Sequence, residues 1–532
     1  MLVYIREAHA IDGAMPNPRV PLVEDPIDDG ERREVASKCV QGLGLDEFTA
    51  VVDRIDDATN RAYGAWPDRL CLVGKDGRIA YAGRPGPAGF APDELEAAIA
   101  IELARGEEGG GQAGEPKTDD PAALLHELVD LAAPKERAAR AKELAALPID
   151  VDTWIGAMRA FAPLVAASPG RARPTVPLWN GEAMEDTELW ILAPETIDPQ
   201  QPLALILQAH GTGASGEGQP EIWREVARAW PAVIVAPSES GANDGYRYSD
   251  RERELTLSAM RWARRQWRVD PDRIVLSGIS RGGHLTWDLA SRRPDRFAAL
   301  APMIGGPRRN PGQAQNNLRY VENLAPIPIR DLQGAQDDPR LVANLRIAFQ
   351  RLRDAGARDA KLIEFEALGH GFEFGAVDWV EWLSGVRRDP RPERVVLRAA
   401  RAGEGRSSWC EILAYDTSKV REEPALSFPA AEWEPLDETA RRAKVQRLLD
   451  DCTARLDARW EAPGRIRIDT LLVKKLRLLL DDAMCDEKGQ VVVVWNGKEY
   501  RRTPRRDAQV LLAEFAERFD PGFLPLRSVV LP

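Results

Sequence analysis

The 532-residue chain reads as an α/β protein built round a central, doubly wound and mostly parallel sheet, with a partial α/β piece before it and a β-rich piece after it. Three observations predict this. Between residues 171 and 388, short apolar runs such as "TELWILAP", "LALILQAHG" and "AVIVAP" alternate with amphipathic helical patterns, the rhythm of buried parallel strands covered on both faces. From 389 to 532 the runs shorten and turn signals separate them. Before residue 105 strands and helices alternate on a smaller scale, and a stretch that cannot form a core follows.

In residues 1–105, "LVYI" and "RLCLVG" read as strands, "KDGR" as a tight turn and "GRIAYAG" as the returning strand. A helix over "APDELEAAIAIELA" starts at Pro92-Asp93. Residues 106–120, "GEEGGGQAGEPKTDD", are rich in glycine and charge and are expected to be a flexible linker. Residues 121–170 carry leucine and alanine at helical spacing and form a helical connector to the sheet of 171–388. After the hinge "RRDPRPER", strands are expected at "RVVLRAAR", "SSWCEILAYD", "RIRIDTLLV" and "GQVVVVWNGKEYRR", with the two-residue hairpin signal at Asn496-Gly497. A helix is expected over "TARRAKVQRLLDDCTARLDARW", within a mostly antiparallel accessory domain.

Composition narrows the function. Hydrophobic residues make up 44% and charged residues 29%, a soluble globular balance. The formal net charge of -12 argues against nucleic acid as a partner, since phosphate neutralisation needs a basic surface. No run approaches the roughly 20 apolar residues of a membrane span, and "MLVYIREAHAIDG" lacks the features of a secretory leader, so a cytoplasmic location and no membrane partner are expected. The five cysteines (Cys39, Cys71, Cys410, Cys452, Cys485) are scattered, with no CxxC pair, which suits reduced thiols and no metal. No cofactor is expected, and oligomeric state is not legible.

The chemistry centres on "IVLSGISRGGH", Ile274 to His284. Gly278 and Gly282 flank Ser280 in a G-x-S-x-G elbow between strand and helix, which would lift the serine hydroxyl above the carboxyl end of the sheet. A serine needs an imidazole to take its proton, and that imidazole needs a carboxylate to hold its tautomer. "AKLIEFEALGHGFEF" supplies His370 after a strand, and "IPIRDLQGAQDDPRLV" supplies acids after another. Asp337, three residues after Gly334, is preferred as the acid, with Asp338 as its understudy and Asp331, inside or at the edge of the strand, third. The oxyanion is expected to meet the Arg281 N–H and one from Thr212 or else Gly213, in the turn after "LALILQAHG". His210 is read as shaping that turn and His284 as packing. Tyr246, Arg247, Tyr248 and Trp287 are candidates for substrate contact, each equally a surface or core residue.

"LILQAHGTG", "VDPDRIVLSGISRGGHLTWDLASRRPDRFAAL", "LQGAQDDPRLV" and "GHGF" together resemble the α/β-hydrolase superfamily over roughly residues 175–388, nearest to its esterase and prolyl-oligopeptidase/dienelactone-hydrolase-like branch. That resemblance implies hydrolysis of a small-molecule ester, or else a short peptide, through an acyl-serine. Arg281 departs from the smaller or apolar residue many members carry there; its cation could favour an anionic substrate or pair with a neighbouring carboxylate. "VYIREAHAIDG", with Glu7-Ala8-His9, and "GRPGPAGF" resemble the iodothyronine deiodinases, a branch of the thioredoxin fold, with Trp66-Pro67 where that fold carries a cis-proline. The family nucleophile lies on a segment before the first strand, and this sequence begins at that strand; either the segment lies upstream of it or the domain is a remnant. Cys39 and Cys71 do not match the missing position and read as core thiols. The competing expectations are therefore a redox protein and a non-catalytic scaffold. The 389–532 piece resembles the β-rich module that follows the hydrolase in similar large bacterial proteins, a resemblance that names no chemistry; an accessory or packing domain is expected ahead of a carbohydrate-binding one.

Overall fold

The computed structural model describes residues 2–532 apart from 8–9, 12–22, 46–47, 67, 75–78, 84–85, 87–91, 93, 97, 100–119, 164–168, 199–200, 239–244, 311–314 and 402. The "KDGR" turn, the linker and Pro67 lie outside the described residues, as do Ala8, His9, most of "GRPGPAGF" and much of the helix expected after it. Two compact units are present, Met1–Thr118 and Asp119–Pro532.

In the smaller unit, strand Leu2–Tyr4 pairs in parallel with Ala50–Val52, and Cys71–Val73 forms an antiparallel hairpin with Ile79–Ala82. Helix Asp29–Gly42 starts where the Asp28 carboxylate accepts from the N–H groups of Gly30 and Glu31, two of the donors that a helix start leaves unpaired.

The larger unit is organised by one mixed sheet. Its strands run in the order Ala360–Phe365, Ile329–Gly334, Ala299–Met303, Val269–Ile279, Leu203–Ala209, Ala232–Ser238, Met184–Leu192 and Arg171–Ala172, with Thr175–Trp179 also on Met184–Leu192. The first six are mutually parallel and the strands from 171 to 192 join antiparallel at one edge. Strand Leu203–Ala209 is buried at every position, because both faces are covered. Its alternation sorts the two cores. Leu203, Leu205 and Leu207 pack with Leu255, Leu285 and Leu345, from helices Asp250–Gln266, Arg281–Arg292 and Pro339–Asp354. Ala204 and Ile206 face the opposite layer with Val226, Trp379 and Leu383. This is the α/β, doubly wound arrangement expected from the sequence.

The expected helical connector forms three helices, Pro121–Asp130, Pro134–Ala145 and Val151–Arg159, the first two opening on proline, whose missing N–H would be unpaired there anyway. Leu125, Leu128 and Trp154 share a core with Leu512, Phe515 and Phe519 of the carboxyl-terminal region. Arg319 bonds Thr453 Oγ1 at 2.7 Å and the carbonyls of Arg421, Glu422 and Leu449 at 3.0 Å, so the β-rich region packs tightly on the central sheet region.

The β-rich region holds a five-stranded and a four-stranded sheet over one core. All pairings are antiparallel except Arg465–Leu471 with Val491–Trp495. Asn496 and Gly497, at φ 47° and 81°, make the expected tight hairpin. Two element readings need correction. The helix stops at Asp451, and "ARLDARW" starts a strand, Ala454–Ala462. Its Ala454, Leu456 and Ala458 point inward at a spacing of two, a short strand period masked by the helix before it. "RIRIDTLLV" is likewise broken at Leu472, at φ 61°, between Arg465–Leu471 and Val473–Leu480.

Candidate active site

Strand Val269–Ile279 delivers Ser280 at the carboxyl edge of the sheet, and helix Arg281–Arg292 departs at once. Ser280 has φ 55° and ψ -106°, a backbone that a non-glycine residue adopts only under constraint. Its N–H donates to Met303 O at 2.8 Å and its carbonyl accepts from His284 N at 3.0 Å. The flanking glycines are required by contact. A Cβ on Gly278 would land on the Gly282 carbonyl, and one on Gly282 would land on the carbonyl of Ala209 in the neighbouring strand.

Three side chains from separate strand ends meet here. Ser280 Oγ lies 2.9 Å from His370 Nε2, and His370 Nδ1 lies 2.8 Å from Asp337 Oδ2. An ionised carboxylate only accepts, so the His370 proton sits on Nδ1 and Nε2 is left to accept from the serine hydroxyl. The Asp337 side chain is 9% exposed, whereas that of His370 is 54% exposed. Burial would raise the Asp337 carboxyl, but hydrogen bonds from His370, the Asp338 N–H and Gln333 Nε2 outweigh it and hold the group below the ordinary carboxylate range. Asp338 is otherwise engaged: its carboxylate accepts from Arg340 N at 2.8 Å and caps helix Pro339–Asp354. Asp331 is fully buried inside its strand and accepts from Trp287 Nε1 at 2.8 Å; burial raises its carboxyl well above the usual value.

Facing the elbow is the turn after strand Leu203–Ala209. A Cβ at Gly211 would sit 3.5 Å from Ile279 O and 3.8 Å from Ser280 Cβ. Ala214 N donates back to Gly211 O at 3.3 Å, leaving Thr212 and Gly213 at the turn's centre, with Gly213 at φ 74°. His210 is buried, its Nδ1 2.9 Å from Gly211 O, and burial together with the Arg281 cation lowers its pKa. That suits the structural part expected of it.

The Arg281 alternatives are decided by contact: its guanidinium is buried 2.7 Å from Glu252 Oε1, which also accepts from the Arg247 N–H. Tyr246 and Trp287, candidates for substrate contact, are core residues instead, donating to Asp288 Oδ2 and Asp331 Oδ2, each at 2.8 Å. Tyr248 is buried and Arg247 exposed. His284 packs as expected, its Nδ1 2.6 Å from Gly306 O.

Sequence reasoning missed Gln333, Glu252 and the loop after Met303. That loop holds Ile304 at φ 44° and Gly305, where a Cβ would land on the Ser280 carbonyl. No local motif marks these residues, since each acts through a partner distant in the chain. In the smaller unit, Cys39 is half-buried, burial raises its thiol, and its Sγ lies 3.9 Å from Tyr4 Oη. A thiol raised in this way is a poor thiolate nucleophile. Cys71 lies within its strand, and all five cysteines are free. Among the described residues no group of three or more His, Cys, Asp or Glu side chains is arranged to hold a metal.

Residues 1–101 match the family model for iodothyronine deiodinase. Thyroxine 5-deiodinase of Sparus aurata is 34% identical over 101 residues, 18% of this chain and 34% of that protein. Poly(3-hydroxybutyrate) depolymerase of Ralstonia pickettii is 29% identical over 149 residues, 24% of this chain and 30% of that protein. Among solved structures, a thermostable esterase aligns at 21% identity over 41% of this chain and 63% of that one, with a TM-score of 0.35. The chain spans about a third or less of the length of the first curated relatives that it matches. Over residues 1–101 it thus resembles deiodinases, and over about a quarter of its length it is similar to esterases and to an ester depolymerase.

Proposed function

We propose that this protein is a serine hydrolase that cleaves carboxylic esters through an acyl-serine intermediate. The observation that carries the reading is the continuous relay from Ser280 Oγ through His370 to Asp337, at 2.9 and 2.8 Å. Ser280 Oγ attacks the acyl carbon as its proton passes to His370 Nε2, and the buried Asp337 carboxylate stabilises the imidazolium that forms. The tetrahedral oxyanion is met by the Arg281 N–H, at the start of the helix, and by the N–H of Thr212 or Gly213. Collapse of that intermediate returns the proton from His370 to the departing alcohol. Water, deprotonated by the same imidazole, then releases the acid.

An ester is preferred to a peptide as substrate because the curated relatives include an ester depolymerase and esterases. The division into an amino-terminal domain (1–105), a connector (121–170), a hydrolase domain (171–388) and an accessory domain (389–532) belongs to the same proposal. So does a reducing, cytoplasmic setting, supported by five free thiols; among the described residues no helix is long and apolar enough to cross a membrane.

The test is labelling by a fluorophosphonate probe together with turnover of short p-nitrophenyl esters. Both are expected in the wild type and lost in Ser280→Ala with the fold retained. Undiminished turnover in that variant would end the proposal.

A further inference from the structure

The loop after strand Ala299–Met303 leaves the sheet beside the elbow, since that strand pairs in parallel with Val269–Ile279. Gly305 lies against the Ser280 carbonyl, Gly306 O accepts from His284 Nδ1 at 2.6 Å, and the Arg308 N–H is fixed on Asn317 Oδ1 at 2.7 Å. The Arg308 side chain is thereby set at the rim of the site, exposed, with its guanidinium 3.4 Å from both His284 Nε2 and Gln315 Oε1. Neither neighbour offsets its charge. Gln315 is neutral, and burial first, then the Arg308 cation, brings the His284 pKa down to about 4, so this imidazole is uncharged near neutrality.

No carboxylate among the described residues lies within ion-pair distance of Arg308. The nearby acids are engaged elsewhere, Glu252 by Arg281 and Asp288 by Arg253 and Arg292. The His284 N–H donates to the Ser280 carbonyl at 3.0 Å, which ties the cation's imidazole neighbour to the nucleophile's own residue. A second observation points to a ligand. Tyr248 is 6% exposed and its hydroxyl is buried with no hydrogen-bond partner; burial pushes that hydroxyl's pKa well up, and the Arg308 cation acts against it. A buried O–H without an acceptor is costly, and a guanidinium within electrostatic reach of it offers the planar donor pair that a carboxylate fits.

We propose that Arg308, with the Tyr248 hydroxyl, binds a carboxylate carried by the substrate, so that the site prefers acidic esters to neutral ones of the same shape. This rests on Ser280 as nucleophile. It gives Arg308 the anion-binding part that the sequence left open for Arg281, whose charge is consumed by Glu252.

The test compares monomethyl adipate with methyl hexanoate in a pH-stat. Wild type is expected to favour the acidic ester by about 10-fold or more in kcat/KM, expressed mainly in KM and shrinking as salt is raised from 50 to 500 mM. Arg308→Ala should erase the ratio, Arg308→Lys should restore part of it, and Tyr248→Phe should raise KM more for the acidic ester than for the neutral one. Equal or better turnover of the neutral ester by wild type overturns the proposal without recourse to any variant, as does an unchanged ratio in folded Arg308→Ala. Either outcome leaves fluorophosphonate labelling intact, whereas failure of the nucleophile assignment would remove it.

Discussion

Replacing Asp337 with asparagine tests the relay at its most constrained point. Three donors converge on the two carboxylate oxygens: the Asp338 N–H on Oδ1 at 2.7 Å, and His370 Nδ1 and Gln333 Nε2 on Oδ2 at 2.8 and 2.9 Å. Asparagine has one oxygen to offer. If it keeps the Asp338 bond, its NH2 group faces His370 and donates to Nδ1, which moves the imidazole proton to Nε2 and points a donor at the serine hydroxyl. If the amide turns over, its NH2 group opposes the Asp338 N–H, and the imidazolium still loses its counter-charge. Loss of the correct tautomer is worth about 10³–10⁴ in kcat, or roughly 4–5.5 kcal/mol of barrier. The assay is the kcat of a p-nitrophenyl ester at neutral pH, with circular dichroism and thermal melting to establish folding. A folded variant that keeps more than about a tenth of wild-type kcat would refute the reasoning, because a base holding the wrong tautomer cannot take the serine proton.

Three further outcomes follow from the structure. In Gly334→Ala the new Cβ would land on the Gly369 carbonyl, displacing the loop that carries His370; a shift of about 1 Å costs roughly 10²-fold in kcat, which steady-state kinetics beside an unperturbed far-ultraviolet spectrum will show. Asp288 is fully buried, and although burial alone would raise its carboxyl, Arg292 and Arg253 bring it down to about 2. A depressed carboxyl contributes stability that is present above its unfolded value and lost as pH falls through the folded one. Urea midpoints should therefore drop between about pH 4 and pH 2 by the equivalent of about 2 kcal/mol from this group. In Asp288→Asn that part of the acid slope should be missing, and the protein should be about 3–5 kcal/mol less stable at pH 7 because two buried guanidinium groups lose their shared anion.

The central sheet was readable because strands such as Leu203–Ala209 and Ala232–Ser238 are almost wholly apolar and are separated by helical patterns of ordinary length, so period and length agree. The elbow was readable for a steric reason: Gly278 and Gly282 are spaced so that strand and helix can touch, and that spacing survives in the linear text. Ala454–Ala462 was misread because its alternation follows a helix after only two residues, and an eye set to a period near 3.6 runs past the boundary. Tyr246 and Trp287 looked as suited to a pocket as to a core, since an aromatic ring with a polar tip serves either place; buried acceptors on Asp288 and Asp331 decided for the core.

Taken by itself, the order of residues determined the fold class, the serine on its turn, and the short roster of acids and imidazoles at strand ends, all of them properties of near neighbours in the chain. Tertiary structure decided which carboxylate reaches His370, that Arg281 is paired with Glu252, and that Arg308 lies 3.4 Å from His284 Nε2 with no carboxylate within ion-pair distance among the described residues. The reason is physical. Pairing among charges and hydrogen-bond donors depends on distances of about 3 Å between groups tens of residues apart. A sequence records which groups exist, but only the packed sheet brings particular pairs within reach.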